Sequence, residues 1–250
     1  LLELEATRYE NDVTYITTDR YGLRFALNEP EIPTYEQQSS IKSRLSTVES
    51  ALASKNWTRI SSVIDVDSFV TFYIMSEFTK QVDFSFSSTR FYFKNNKLYA
   101  GPGWDYDLAM GNVGPRIYDA YILYNNDGVG TKTGNSWEGL WSANMKWFER
   151  LLLVPEFKAA VKARFAEVAP IIINIFEANE LGESQIDKML SEDGASFARN
   201  YEVWDITKDD VSDALAVART PDATFEENVE YLRTWLKNRY AYLNGVFSAY

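Results

Sequence analysis

Four side chains in the middle of the chain have the types and spacing of a phosphate-handling site: Asp83, Ser88, Asp105 and Asp107. A hairpin pattern lies between them. Phe91-Tyr92-Phe93-Lys94 and Lys97-Leu98-Tyr99-Ala100 flank Asn95-Asn96, whose side chains tolerate the positive φ of a two-residue turn. If Asn95 and Asn96 are that turn, opposed positions share the sum 191. Asp105 then falls opposite Phe86, and Ser88 opposite Gly103. Residues two apart on a strand share a face, so Asp105, Asp107 and Ser88 are expected to point the same way. Ser88 and Asp105 become diagonal neighbours about 7–8 Å apart, a span that one divalent cation bridges through oxygen ligands. Asp83 precedes the first strand at the same end of the hairpin. A loop that curls back brings its carboxylate into the same space, and Gly101, Gly103 and Gly111 let backbone approach it.

An acid cluster of Asp83, Asp105 and Asp107 with Ser88 beside it has the layout of phosphoryl transfer. There, one Asp orients the attacking hydroxyl and takes its proton. A residue five positions later helps to hold a second metal ion, and an Asp after the next hairpin strand binds the metal on the nucleotide phosphates. Protein kinases write the first part as D-x-x-x-x-N and the second as D-F-G. Here the order is Asp83-x-x-x-x-Ser88, a hairpin, then Trp104-Asp105-Tyr106. A plainer reading stands beside it: Asp at strand ends and before helices also caps backbone or faces water.

The elements that must position these residues are legible in outline. Residues 1–34 read as short strands and turns, with Tyr15–Thr18 and Leu23–Leu27 around a turn at Asp19–Gly22. Ile41, Leu45, Val48 and Leu52 recur at helical spacing and predict a helix over 35–55. A second helix starts with Asp65 or Asp67 as its cap and runs to about Lys80. Residues 111–136 read as a long Gly- and Asn-rich loop. Beyond it the pattern is mostly helical, with helices expected at 138–153, 155–178, 183–200 and 224–248 and a polar loop at 205–223.

Composition narrows the chemistry. The 250 residues carry 25 Lys and Arg against 36 Asp and Glu, a formal charge of −11, without a cluster of cations for a nucleic-acid backbone. That balance permits a basic protein partner. No His excludes a Ser-His-Asp triad and an imidazole base, and no Cys excludes thiol chemistry. A metal ion would be held by oxygen ligands, as Mg²⁺, Mn²⁺ or Ca²⁺ is. No stretch approaches the roughly 20 apolar residues of a membrane span. The longest apolar run, Ala169–Phe176, is interrupted by Pro170 and Asn174. The chain opens in Leu1-Leu2-Glu3-Leu4-Glu5, which reads as the middle of a strand, so an upstream part is expected. The seven Trp are expected mainly in the core. Asp119, Asp127 and Asn125-Asn126 lack EF-hand spacing and read as a solvated loop, and Asp205, Asp209, Asp210 and Asp213 as a solvated surface with an option on a basic substrate.

Several segments together resemble the CotH kinase family, the spore-coat protein H-like proteins. They are Ile64-Asp65-Val66-Asp67-Ser68-Phe69, Val82-Asp83, Ser88 to Lys94, and above all Gly101-Pro102-Gly103-Trp104-Asp105-Tyr106-Asp107-Leu108-Ala109-Met110-Gly111-Asn112. Weaker echoes are Asn135-Ser136-Trp137, Trp147 to Leu152, Ala198-Arg199-Asn200 with Trp204, and Leu232 to Leu236 with Arg239. The resemblance spans nearly the whole chain. It implies an α+β, atypical protein-kinase-like fold with a catalytic hairpin and a mostly helical C-terminal lobe. The three stretches 1–34, 35–136 and 137–250 would form one kinase domain whose N-terminal lobe, with its phosphate-contacting Lys, largely precedes residue 1. Neither Lys80 nor Arg90 is marked as that Lys.

The resemblance further implies transfer of phosphate from ATP to protein Ser or Thr with Mg²⁺ or Mn²⁺. It also implies an extracellular, spore-coat or cell-envelope location, in some members beside polysaccharide-degrading systems. Asp83 falls on the catalytic Asp and Asp105 on the metal-binding Asp. Ser88 falls where some members carry Asn and offers a weaker oxygen, and Asp107 is a supporting ligand or a cap. Two other functions fit the same residues: a non-catalytic binding or assembly module, degenerate or carbohydrate-associated, and a metal-dependent phosphohydrolase.

Overall fold

The structure, a computed structural model, describes residues 1–6, 10, 12–84, 87–113, 135–204 and 223–250. Its β part is one sheet of five short strands: β1 Leu2–Leu4, β2 Tyr15–Thr17, β3 Arg24–Leu27, β4 Thr89–Lys94 and β5 Lys97–Ala100. The strand order is β2-β3-β1-β4-β5, and every pairing is antiparallel. Alternate residues Leu2, Leu4, Phe25, Leu27, Phe91 and Leu98 are buried, as the two-residue period of a strand requires. The β4–β5 hairpin pairs Phe91 with Ala100 and Lys94 with Lys97, so the register expected around Asn95-Asn96 is the one formed. Both Asn take positive φ, 49° and 61°. The outer edge of β5 is partly covered, because the Asp65 amide donates to the Leu98 carbonyl at 2.8 Å.

Local chemistry sets the helix boundaries. α1 (Tyr35–Ser54) begins in a reciprocal capping box of Thr34 and Gln37 and ends at Lys55 in the left-handed region. α2 (Trp57–Val63), capped by Asn56, was not expected. Its seven residues are too few to show a period. α3 (Val66–Thr79) is capped by Asp65, the first of the two predicted candidates, which accepts from the Ser68 amide. Phe69, Val70, Phe72, Tyr73, Ile74, Ser76, Glu77 and Phe78 are all buried, as befits a helix enclosed on most sides. α5 (Pro155–Phe176) has Pro155 in its first turn. α6 (Gln185–Val203) and α7 (Phe225–Ser248) start in capping boxes of Ser184 with Asp187 and Thr224 with Glu227. α3 packs against α5, α7 and β5 and so joins the helical part to the sheet.

The helix expected over 138–153 is replaced by a 3₁₀ turn, Ser142–Asn144, and a short α4, Lys146–Leu151. The cause is tertiary. Lys80 Nζ takes the carbonyls of Ser136 and Glu138, and the Arg239 guanidinium takes those of Trp137 and Gly139. Four consecutive carbonyls, the last two of them in the first turn of the expected helix, point instead at two buried cations. Aromatic rings fill the junction of sheet and helices. Trp147 stacks on Phe25 at 5.2 Å and meets Phe91 edge-on at 4.9 Å, while Phe148 stacks on Tyr73 at 5.3 Å.

Candidate functional site

The turn that carries Asp83 is anchored on both sides. α3 stops at Lys80, whose φ of 48° reverses the chain. Val82 and Phe84 are buried, and Asp83 between them is half-buried. The Phe84 ring lies 5.5 Å from Phe72 and 5.5 Å from Phe148. The Trp141 indole donates to the Val82 carbonyl at 3.0 Å, and the Ser87 amide donates to the Asp83 carbonyl at 3.0 Å. Gln81, buried, closes the turn by accepting from the Phe84 amide at 2.9 Å.

Asp105 and Asp107 do not lie on a continuation of β5. The ladder ends where the Gly101 amide donates to the Arg90 carbonyl at 2.8 Å. Gly101 has a φ of 109°, and Pro102 has no amide with which to continue. The chain turns off the sheet there, so the expected face-sharing of Asp105, Asp107 and Ser88 by strand alternation is not formed. Phe86, the expected partner of Asp105, lies outside the described residues. The convergence arises another way. Asp105 takes a φ of 60° and Ser88 one of 52°, conformations rare for residues other than Gly. Ser88 Oγ donates to Asp105 Oδ2 at 3.2 Å, a direct contact in place of a diagonal one.

The Asp107 carboxyl lies near enough to that of Asp105 for the two to interact. The Asp107 carboxyl is pushed above the usual carboxylate range, first by partial desolvation, then by the hydrogen bond and charge of Asp105. Asp107 also bonds within its own loop. Its Oδ1 accepts from the Leu108 amide at 3.0 Å, and its carbonyl accepts from the Asn112 side chain at 2.7 Å. Gln81 Nε2 donates to the Asp105 carbonyl at 2.9 Å. The turn of Asp83 and the loop of Asp105 are therefore joined by one buried side chain.

The nearby cations are committed elsewhere. Lys80 is wholly buried and holds the carbonyls of Ser136 and Glu138. Arg90 pairs with Glu3 across β4 and β1 at 2.9 Å, and its guanidinium lies 3.9 Å from the Trp104 ring centre. Trp104 is half exposed at 50%. A groove of about 420 Å³, lined by Ser68, Phe72, Met75, Tyr99, Pro102 and Gly103 among others, opens beside this loop and ends two residues short of Asp105.

The donor set suits a hard divalent cation carried on phosphates. Among the described residues, no three acidic side chains converge closely enough to cage a metal ion. Asp83 is thus not brought into one cluster with Asp105 and Asp107. Two exposed carboxylates with a hydroxyl beside them are what Mg²⁺ ordinarily takes from a protein, water and phosphate oxygens completing its shell. The Asp105–Asp107 pair, two neighbouring carboxyls of like charge, is a place where a cation would relieve the repulsion.

The family of CotH kinase proteins matches residues 14–243. The chain belongs to that family. No curated protein and no solved structure matches it.

In this CotH family member, the segment from Gly101 to Asn112 is the loop whose carboxylates meet Ser88. Sequence reasoning missed Gln81, whose type carries no catalytic signal and whose only clue was its place two residues before Asp83. It also missed the buried centre formed by Glu77, Lys80 and Arg239. Glu77 accepts from the amides of Trp141 and Ala143 and from Arg239, and burial pushes its carboxyl up against the pull of Arg239 and those amides. Of the Trp residues, Trp141, Trp147 and Trp235 are core, whereas Trp104, Trp137 and Trp204 are exposed. Asp119, Asn125, Asn126, Asp127, Asp205, Asp209, Asp210 and Asp213 lie outside the described residues.

Proposed function

We propose that this CotH protein transfers the γ-phosphoryl group of ATP to a Ser or Thr hydroxyl of a protein acceptor, in an α+β domain of atypical kinase type. The observation that carries the reading is the convergence of Ser88, Asp105 and Asp107 beside the anchored turn of Asp83. Asp83 orients the acceptor hydroxyl and accepts its proton as the oxygen–phosphorus bond forms and the bond to the β-phosphate oxygen breaks. Asp105 and Asp107 hold the metal side of the nucleotide, and Ser88 fixes one oxygen of Asp105. Bound Mg²⁺ or Mn²⁺ supplies charge neutralisation on the phosphates. The acidic chain favours a basic acceptor surface. We place the protein at the spore coat or cell envelope, outside the cytoplasm. No described helix is long and apolar enough to cross a membrane.

The test is transfer of labelled γ-phosphate from ATP to a panel of basic proteins, with Mg²⁺ or Mn²⁺. The native chain labels an acceptor, and Asp83→Asn and Asp105→Asn each lose most of that labelling. Equal labelling by both variants overturns the assignment. Release of free phosphate without an acceptor moves the reading to a phosphohydrolase. No nucleotide binding, with saturable binding of a polysaccharide, moves it to a binding module.

A further inference from the structure

Gln81 is buried in the hinge between two segments that the proposed reaction needs, and both ends of its amide are used. Its Oε1 accepts from the Phe84 amide at 2.9 Å, closing the turn around Asp83. Its Nε2 donates to the Asp105 carbonyl at 2.9 Å and lies 3.4 Å from the Trp104 carbonyl. The side chain is 3% exposed, so no water competes for either end. Asp105 sits at positive φ in a loop that has left the sheet, so no ladder hydrogen bond sets its place. On its main-chain side, the bond from Gln81 does so.

We infer that Gln81 is a positioning residue that couples the placement of the metal-binding carboxylate Asp105 to that of Asp83. The inference rests on the function proposed above. It adds that the two arms of one amide set two different kinetic quantities. The Nε2 arm sets where Asp105 meets the metal–nucleotide. The Oε1 arm sets the turn of the proton-accepting Asp83. The chemistry of the side chain lets the arms be separated. In Gln81→Glu, measured at a pH high enough to keep this buried carboxyl ionised, one carboxylate oxygen still accepts from the Phe84 amide, but the other now faces the Asp105 carbonyl, acceptor against acceptor. In Gln81→Met both side-chain bonds are lost at similar volume, and the Phe84 amide keeps only its 3.3 Å bond to the main-chain carbonyl of residue 81.

The experiment compares the full native chain with Gln81→Glu and Gln81→Met in three measurements. The first is Mn²⁺ binding, read by loss of the free-ion resonance signal. The second is phosphoryl transfer as a function of Mg²⁺ concentration. The third is the hydrogen-exchange rate of the Phe84 amide. In Gln81→Glu the Mn²⁺ affinity falls by about 10–100-fold, the range typical for loss of a group that orients a metal ligand. The Mg²⁺ concentration for half-maximal transfer rises to match, while Phe84 stays protected and the rate at saturating Mg²⁺ holds. In Gln81→Met the saturated rate falls as well, and Phe84 exchanges faster. A merely structural role predicts equal loss of rate at every Mg²⁺ concentration with unchanged metal affinity, and that result overturns the inference. If Gln81→Met fails to fold, Gln81→Glu decides, and an unchanged Mn²⁺ affinity in it overturns the inference. If the native chain binds Mn²⁺ but transfers nothing, the proposed function fails while the Mn²⁺ arm still judges Gln81. If it neither binds nor transfers, both fall.

Discussion

At the scale of single residues, the contact between Ser88 and Asp105 decides what the carboxylate pair is able to do. Asp105 stands at a φ of 60°, a region that Asn enters as readily as Asp. Asp105→Asn therefore removes the charge and keeps the loop. Thermal melting is expected to stay near that of the native chain, while phosphoryl transfer falls about 10²–10³-fold, as when one preorganised electrostatic group is lost. A melting point that drops together with activity would assign Asp105 to the fold instead. Ser88→Ala removes the hydroxyl that donates to Oδ2 at 3.2 Å. A hydrogen bond to a charged group is worth about 1.5–3 kcal/mol, so a partial loss of transfer is expected, smaller than for Asp105→Asn. Spacing alone singled out Asp83, Ser88, Asp105 and Asp107. It did not foresee that Ser88 and Asp105 would touch, because that contact depends on two unusual φ values and a chain leaving the sheet at Gly101.

At the scale of elements, the site loop is held at its far end by α7. Gly111, at a φ of 78°, lies so close to that helix that a Cβ would sit 2.5 Å from Trp235 Nε1 and 2.7 Å from the Tyr231 hydroxyl. The same indole donates to the Asn135 carbonyl at 2.7 Å. Gly111→Ala combines a strained φ with this overlap and is expected to cost about 1–3 kcal/mol, read from urea unfolding. An unchanged midpoint would mean that α7 does not clamp the loop. A second element-level contact sets part of the acid stability. Asp187 in the first turn of α6 is held below the usual carboxylate range by the Ser184 hydroxyl and then by Arg233 of α7. A depressed folded value means stabilisation that is complete above the unfolded value of about 3.9 and is lost as pH falls through the folded value. Asp187→Asn should lower the melting point at neutral pH and make no difference at the acid end. A constant difference across pH would refute the linkage. The helix caps at Thr34, Asp65, Ser184 and Thr224 follow from residue types within one turn, which is why helix starts near 35, 65, 183 and 224 were legible. The helix expected at 138–153 was not formed as such, because the carbonyls of Glu138 and Gly139 in its first turn are claimed by Lys80 and Arg239.

At the scale of the whole molecule, Arg239 ties α7 to α3 and to the segment before α4. It is wholly buried and donates to the Glu77 carboxylate, the Glu77 carbonyl and the carbonyls of Trp137 and Gly139. Arg239→Met leaves the buried Glu77 carboxylate without its guanidinium partner and strands the carbonyls of Trp137 and Gly139, while the Glu77 carbonyl keeps the Lys80 amide. Breaking one side of a buried pair costs about 3–5 kcal/mol, so urea unfolding of the whole chain should shift by that much. A shift under about 1 kcal/mol would show that water or a rearranged neighbour replaces the guanidinium. Because Trp141, whose amide binds Glu77, also holds the Val82 carbonyl, the same substitution is expected to loosen the turn of Asp83.

The sequence by itself determined the features whose causes lie within a few residues. Asn95-Asn96 set the hairpin turn and hence the register of Phe91 with Ala100. Capping residues set helix starts, apolar stripes set buried faces, and the order Asp83, Ser88, hairpin, Asp105 named the residues of the candidate site. Only the tertiary structure decided where those residues meet. The Gln81 bridge to Asp105, the Ser88 contact and the Glu77–Arg239 pair, 162 positions apart, depend on how distant segments pack. Local propensity acts over one turn of chain, whereas a buried charge takes whatever partner the packed core brings within hydrogen-bond reach.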